Sequence, residues 1–293
     1  MPELPEVETM VRGVRPYMEG RTLSQLRRYP CRRKPLSCKP DFTRIARRVK
    51  GRIVREVTRT AKRIVIQFVA PGAEAEQLFE YLVIEPRMTG LLLVDDPPSR
   101  EHLRFEFVFA SAGSKETRPN VSYWDRRGLG TVTLYTQTEF DQFLQSGRLG
   151  PDALAIEHAE LYEKLQRTSR PIKVALLDQK LVAGIGNLYA SEILYLAKIH
   201  PETPANRVPR GLMKPLQLAI RDVLETAILY EGSTLGDGTY RNVLNQDGSY
   251  QNEHRVYQKG GTLCTGCGRI PIERIVQAQR STFFCSRCQK KYE

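Results

Sequence analysis

Apolar residues fall at helical spacing from the first turn of the chain. Val7, Met10, Val11 and Val14 share one face of a helix predicted over 5–18. Pro5 suits its first turn, and Glu6 and Glu8 suit the positive end of its dipole. The period then changes. Short, often alternating runs at 22–29, 53–59, 63–69, 81–84, 91–94, 103–109, 121–124 and 131–135 predict the strands of a sandwich or barrel. Residues 95–100 and 111–120 read as loops between them. After Phe140 helical spacing returns, over 153–167, 172–181, 187–198 and 212–230, with prolines at 201, 204 and 209 interrupting the line. Residues 232–253 are polar and glycine-rich, which predicts a mobile loop. The closing segment alternates apolar residues around paired cysteines, as a small β-hairpin would.

Charge narrows the choice of partner. The formal net charge is +12, an excess that favours a polyanion, either nucleic acid or an anionic membrane. Cations crowd between Arg12 and Arg63, and a second group surrounds the terminal cysteines. A solvated basic face explains either group taken alone. No apolar run approaches the ~20 residues of a membrane span, and the start lacks the basic-then-apolar order of a secretory signal. The expected compartment is the cytoplasm.

Cys264, Cys267, Cys285 and Cys288 form two C-x2-C pairs separated by 17 residues, the spacing of a four-thiolate Zn2+ site. Such a site has no open position and is expected to be structural. Disulfides are the alternative, and they are rare in the cytoplasm. Cys31 and Cys38 show no ligand pattern.

Met1-Pro2-Glu3 carries the sharpest chemical signal. Initiator Met is normally removed before Pro, which would leave Pro2 with a free secondary amine. Condensed with a sugar aldehyde, that amine gives an iminium that cannot discharge by losing a nitrogen proton. It is therefore a lasting electron sink for breaking bonds on neighbouring carbons. The positive end of the following helix lowers the amine pKa from about 8, leaving it nucleophilic. A proline that merely follows Met is the plain alternative. Further on, Gly184-Ile-Gly186 separates two helices, and Asn187 opens the second, whose free N–H groups can receive phosphate. A packing turn explains that motif equally well by itself.

In combination these motifs make the chain similar to the formamidopyrimidine-DNA glycosylase / endonuclease VIII family of base-excision repair enzymes, over essentially its whole length. Pro2-Glu-Leu-Pro-Glu-Val-Glu8 resembles the formamidopyrimidine branch. Lys180-Leu-Val-Ala-Gly-Ile-Gly-Asn187, followed by Tyr189-Ala-Ser-Glu192, resembles the family's helix–two-turn–helix, and Gln279-Arg-Ser-Thr-Phe-Phe-Cys285 its zinc finger. The expected fold is α+β and two-lobed. A β-sandwich with its N-terminal helix would occupy 1–140. A helix–two-turn–helix domain with a lesion loop at 232–253 would occupy 141–256, and a β-hairpin zinc finger 257–293. DNA would lie between the lobes.

The resemblance implies roles. Pro2 would attack the sugar C1′, Glu3 would move protons, and Lys62 would contact phosphate near the lesion and assist the chemistry. Lys173, Gly186, Asn187 and Arg280 would bind DNA, Arg280 through its guanidinium fork. Met88, Arg127 and Leu129 would fill the gap left by an extruded base. Two motifs depart from the family pattern. Its His-Leu-Gly-Met-Ser-Gly becomes Glu85-Pro-Arg-Met-Thr-Gly90, and its Asp-Pro-Arg-Arg-Phe-Gly becomes Asp125-Arg-Arg-Gly-Leu-Gly130. Glu85 therefore stands where a histidine would face phosphate, and Gly128 and Leu129 alter the wedge.

The implied activity is that of a bifunctional glycosylase/AP lyase. It would remove oxidised purines (8-oxoguanine, formamidopyrimidines) and nick the strand by β,δ-elimination. The implied partner is duplex DNA with an oxidised base or an abasic site, bound by a monomer with no membrane contact. The alternatives are a non-catalytic binder of damaged DNA, a glycosylase for oxidised pyrimidines, or a zinc-ribbon RNA-binding protein.

Overall fold

A computed structural model describes residues 2–72, 79–94, 96–110, 119–236 and 238–293. Of the expected loops, Asp95, 111–118 and Asp237 lie outside the described residues, as does Met1. Two compact units form: 1–146 with 230–249, and 147–229 with 250–293.

The first unit begins with α1 (Leu4–Met18) and continues through β1 (Leu23–Arg28), β2 (Ser37–Lys39), α2 (Phe42–Val49), β3 (Ile53–Thr60), β4 (Arg63–Val69) and β5 (Glu80–Glu85). It is completed by β6 (Gly90–Leu93), β7 (Leu103–Phe109), β8 (Val121–Asp125), β9 (Thr131–Thr136) and α3 (Gln137–Gln145). Eight strands stand within a residue or so of the expected runs. They make a sandwich of a four-stranded sheet, β1-β7-β8-β6, and a five-stranded sheet, β2-β9-β5-β4-β3. Every pairing is antiparallel except β2 with β9.

Strand periodicity decides where the core lies. Ile64, Ile66 and Phe68 of β4, Leu82 and Ile84 of β5, and Phe105 and Phe107 of β7 join one buried cluster. The apolar face of α1 (Val7, Met10, Val11, Val14) and Ile45 and Val49 of α2 enter the same cluster. The alternate residues Val65 and Val83 point the other way and pack with Phe140 and Phe143 of α3. Tyr81 stacks on Phe140 at 4.3 Å between centroids. The five-stranded sheet is thus covered on both faces, which is why β4 reads as a nearly unbroken apolar run.

Helix α2 has no counterpart in the sequence reading. It buries only Ile45 and Val49 among six other residues, three of them arginines, and one such pair makes no legible period. Its start is fixed locally, since the Asp41 carboxylate accepts from the Arg44 N–H at 3.0 Å.

The second unit contains α4 (His158–Gln166), α5 (Ile172–Leu176), α6 (Asn187–Leu196) and α7 (Met213–Leu229), then a hairpin of β10 (Glu273–Gln277) and β11 (Arg280–Phe284). Two helices are shorter than expected, because aspartates fold the backbone into local turns instead. Asp152 accepts from the Leu154 N–H at 3.1 Å, and Asp178 from the Lys180 N–H at 3.0 Å.

Most of the segment expected as a loop of the helical domain groups with the first unit. Residues 230–249 pack in the first unit, where Tyr240 and Val243 enter its core. The Val94 N–H donates to the Val243 carbonyl at 2.9 Å. The segment's ends meet through the Ser249 N–H and the Tyr230 carbonyl at 2.9 Å. Tyr240 and the Val243-Leu244 pair stand among polar residues and show no periodicity, so this anchoring is invisible locally. Among the described residues, no helix is long and apolar enough to cross a membrane.

Phe140 bridges α3 to the outer sheet face, so Phe140→Ala should cost about 3 kcal/mol or more. Leu144, 43% exposed on the same helix, should change stability by less than about 0.5 kcal/mol when replaced by Ala. Chemical denaturation of the two variants checks the difference.

Candidate functional site

Pro2 and Glu3 are buried at the head of α1. The Glu3 N–H donates to the Glu6 carboxylate at 2.8 Å, and Glu6 also accepts from the Ser233 N–H at 3.1 Å. One buried carboxylate therefore joins the start of the chain to the 230–249 segment. Two residues further along α1, Glu8 accepts from Arg12 at 2.7 Å and from Arg59 at 2.9 Å. Burial alone would raise the Glu8 pKa, but the two guanidiniums outweigh it and hold the carboxyl below its ordinary value.

Arg59 extends this link to Lys62. Its other nitrogen donates to the Ala61 carbonyl at 2.9 Å. Ala61 and Lys62 form the two-residue turn of the β3–β4 hairpin, closed by the Thr60–Arg63 pair. Lys62 is half-buried there. Glu8 follows Glu3 by five residues, a rise of about 8 Å along a helix. The Lys62 turn is thus tied to α1 close behind the Pro2–Glu3 pair.

Asp125 organises the two turns that carry Met88, Arg127 and Leu129. It is completely buried at the end of β8. One carboxylate oxygen accepts from the Thr89 hydroxyl and from the Arg127 N–H at 3.1 Å, and the other from the Gly130 N–H at 2.9 Å. The Arg104 guanidinium holds the Asp125 carbonyl at 2.8 Å and the Lys34 carbonyl at 2.9 Å. Gly128 is required in this loop: its φ is +64°, and a Cβ there would sit 2.3 Å from the Lys34 carbonyl oxygen. Met88 and Leu129 are half-buried and Arg127 is exposed. Arg126 reaches the Thr239 hydroxyl at 3.0 Å, so the 230–249 segment also touches this loop.

The remaining expected residues lie in the second unit. Gly186 occupies the N-cap position of α6 and Asn187 its first turn. Arg280 is exposed at the start of β11. The hairpin turn before it consists of Ala278 and Gln279, with φ of +46° and +60°, a primed turn made without its usual Asn or Gly. Lys173, expected to bind DNA, is fully buried. Its ammonium donates to the Asn187 side chain at 2.6 Å, the Thr282 hydroxyl at 2.7 Å and the Ser281 carbonyl at 3.1 Å. Three donors are all an ammonium has. Lys173 is a strut that fixes Asn187 against the hairpin bearing Arg280. The Asn187 amide adds a bond to the Ser281 carbonyl at 3.1 Å.

The four cysteine sulfurs lie within 4.8 Å of one another. Cys264 and Cys288 are 3.8 Å apart, as are Cys267 and Cys285. Tetrahedral Zn–S bonds of about 2.3 Å imply sulfur separations of about 3.8 Å, whereas a disulfide needs about 2.05 Å. The donor set fits one structural Zn2+. Two α6 side chains hold the module in place. Glu192 accepts from the N–H groups of Arg255, Val256 and Tyr257 at 2.7–2.9 Å. The Tyr195 hydroxyl lies 3.3 Å from the Cys264 sulfur. It fits over Gly266, where a Cβ would stand 2.3 Å from it.

This order of modules has counterparts among known proteins. The formamidopyrimidine-DNA glycosylase N-terminal domain matches residues 1–132, the H2TH domain 149–238, and the zinc finger found in FPG and IleRS 261–291. The chain belongs to the formamidopyrimidine-DNA glycosylase family. It is 37% identical to the formamidopyrimidine-DNA glycosylase of Chloroflexus aurantiacus, covering 99% of this chain and 98% of that protein. The Lactococcus lactis Fpg, solved in complex with abasic-site containing DNA, superposes with a TM-score of 0.82 at 29% identity, covering 99% of this chain and 100% of that one. For the Thermus thermophilus Fpg the TM-score is 0.81 at 33% identity, covering both chains completely.

Glu8→Gln removes the charged acceptor shared by Arg12 and Arg59. Because the folded carboxyl titrates below the unfolded value of about 4.3, its stabilisation is present at neutral pH and lost as pH falls through the lowered folded value. The variant should be less stable than the wild type by about 1–2 kcal/mol at pH 7, and the gap should close as pH falls through the lowered folded value. Melting curves across that range check the shape. In the zinc module, Tyr195→Phe deletes the hydroxyl facing Cys264. Zinc affinity, measured by competition with a chromophoric chelator, should fall about tenfold.

Proposed function

We propose that this protein is a DNA glycosylase for oxidised purines with an associated AP lyase activity, working through a Schiff base at Pro2. The observation that carries the reading is the first unit's own arrangement. Pro2 and Glu3 are buried at the head of α1, and the Lys62 turn is tied to the same helix through Arg59 and Glu8. The relatives support it. The Lactococcus lactis Fpg has been solved with DNA containing an abasic site and with DNA containing N7-benzyl-Fapy-dG.

The chemistry follows from the amine. Pro2 nitrogen attacks C1′ of an extruded nucleotide, the N-glycosidic bond breaks, and the base departs with a proton. Glu3 moves protons as the sugar ring opens, which converts the adduct to an iminium. The iminium acidifies C2′; loss of a C2′ proton expels the 3′ phosphate by β-elimination, and loss of the C4′ proton then expels the 5′ phosphate by δ-elimination. Lys62 contacts the phosphate beside the lesion. Met88, Arg127 and Leu129 enter the vacated stack, with Leu129 as an aliphatic wedge. Asn187 and Arg280 grip the backbone from the second unit, and Gly186 lets the strand approach α6. Lys173 acts through Asn187. The segment 232–253 would border the extruded base, a reading supported by the bonds of Ser233 to Glu6 and of Thr239 to Arg126. The protein would act as a monomer in the cytoplasm, on duplex DNA.

Borohydride reduction of the iminium tests the assignment. Wild-type protein should crosslink to a duplex with an abasic site, and Pro2→Gly should trap at least about tenfold less. Binding of damaged duplex without trapping or nicking would make the protein a non-catalytic binder instead.

A further inference from the structure

Arg87, in the turn between β5 and β6, adopts a φ of +55°, a conformation that suits glycine and penalises any side chain. The family motif that this turn resembles has glycine at that place. Such an outlier persists only where its surroundings impose it, and such outliers cluster at functional sites. Here Glu85 provides the restraint. One of its carboxylate oxygens pairs with the Arg87 Nε at 3.1 Å, and the other with an Arg63 terminal nitrogen at 3.2 Å. Arg63 is itself anchored, its guanidinium 5.6 Å from the Phe143 ring centroid. The triad carries two positive charges against one negative. It also joins two functional turns, because Arg63 follows Lys62 and Arg87 precedes Met88. Arg87 is the exposed member, and among the described residues its terminal nitrogens meet no acceptor.

We propose that Arg87 is a phosphodiester-binding residue, held by Glu85 and Arg63 so that its terminal nitrogens grip the DNA backbone beside the extruded nucleotide. Glu85 then does not repel the strand, because its charge is taken up by two guanidiniums while Arg87 keeps a free edge. The inference rests on the proposed function, since it needs a DNA strand passing Met88.

The test is fluorescence anisotropy with a duplex bearing a stable tetrahydrofuran abasic analogue, from about 50 to about 200 mM salt. Thermal melting of each protein is measured alongside. Arg87→Gly should bind about tenfold more weakly, with a log–log salt slope shallower by about one. It should melt at or above the wild-type temperature, because the strain is gone. Arg87→Lys should keep the slope and lose a smaller factor, as an ammonium lacks the fork to hold carboxylate and phosphate together. Unchanged affinity and slope in Arg87→Gly would overturn the proposal, and so would a lowered melting temperature, which would assign Arg87 to the fold. A wild type that ignores the duplex would overturn the functional reading as well, a result distinct from a variant that binds like the wild type.

Discussion

A carboxylate taken out of water must be met by donors, and the first unit is built on three that are. Glu6, Glu8 and Asp125 are each mostly or wholly removed from solvent, and each gathers donors from segments far apart in the chain. Glu6 joins the chain start to Ser233, Glu8 joins α1 to the β3–β4 hairpin, and Asp125 joins the Met88 turn to the loop after β8. Removing Glu6 or Asp125 leaves buried backbone N–H groups unsatisfied. The fold and the candidate site therefore share the same polar bonds, and the arrangement around Pro2 and Glu3 cannot loosen without cost to stability.

Much of this was legible in the sequence because it is periodic or fixed in spacing. The α1 stripe, the alternation of β4 and β7 and the two C-x2-C pairs each signal their structure within a few residues. Helix α2 and the 230–249 segment were not legible, because their burial depends on partners far away in the chain. Val243, in a short Val-Leu pair among polar residues, shows no period and gains its role only on meeting the α1 core. The closing β-hairpin is legible from its alternation, but its turn at Ala278 and Gln279 lacks the usual residues, so only the Gln277–Arg280 pairing places that turn. Lys173 shows a further limit: a lysine near a predicted phosphate site reads as a contact, and the internal bonds its ammonium makes to Asn187, Ser281 and Thr282 leave no trace in the local sequence.

The departures from the family pattern are easier to understand together than singly. Glu85 alone would place a negative charge where a backbone phosphate is expected. Arg87 in the same turn converts that charge into an anchor. At Gly128 the backbone must pass close to Lys34, so glycine there is a packing requirement and not a loss of function. Leu129 keeps an apolar side chain on a loop that Asp125 and Arg104 hold firmly.

The assignment of 230–249 to the first unit sets the order in which the protein can be completed during translation. A ribosome delivers the sandwich strands first, yet Tyr240 and Val243, which close their core, emerge only after four helices of the second unit have been made. The nascent N-terminal unit must wait for roughly a hundred residues with its hydrophobic interior unfinished, a long-range closure that slows folding and exposes intermediates to aggregation. Neither unit is contiguous, so this chain is poorly suited to separation into independently expressed halves.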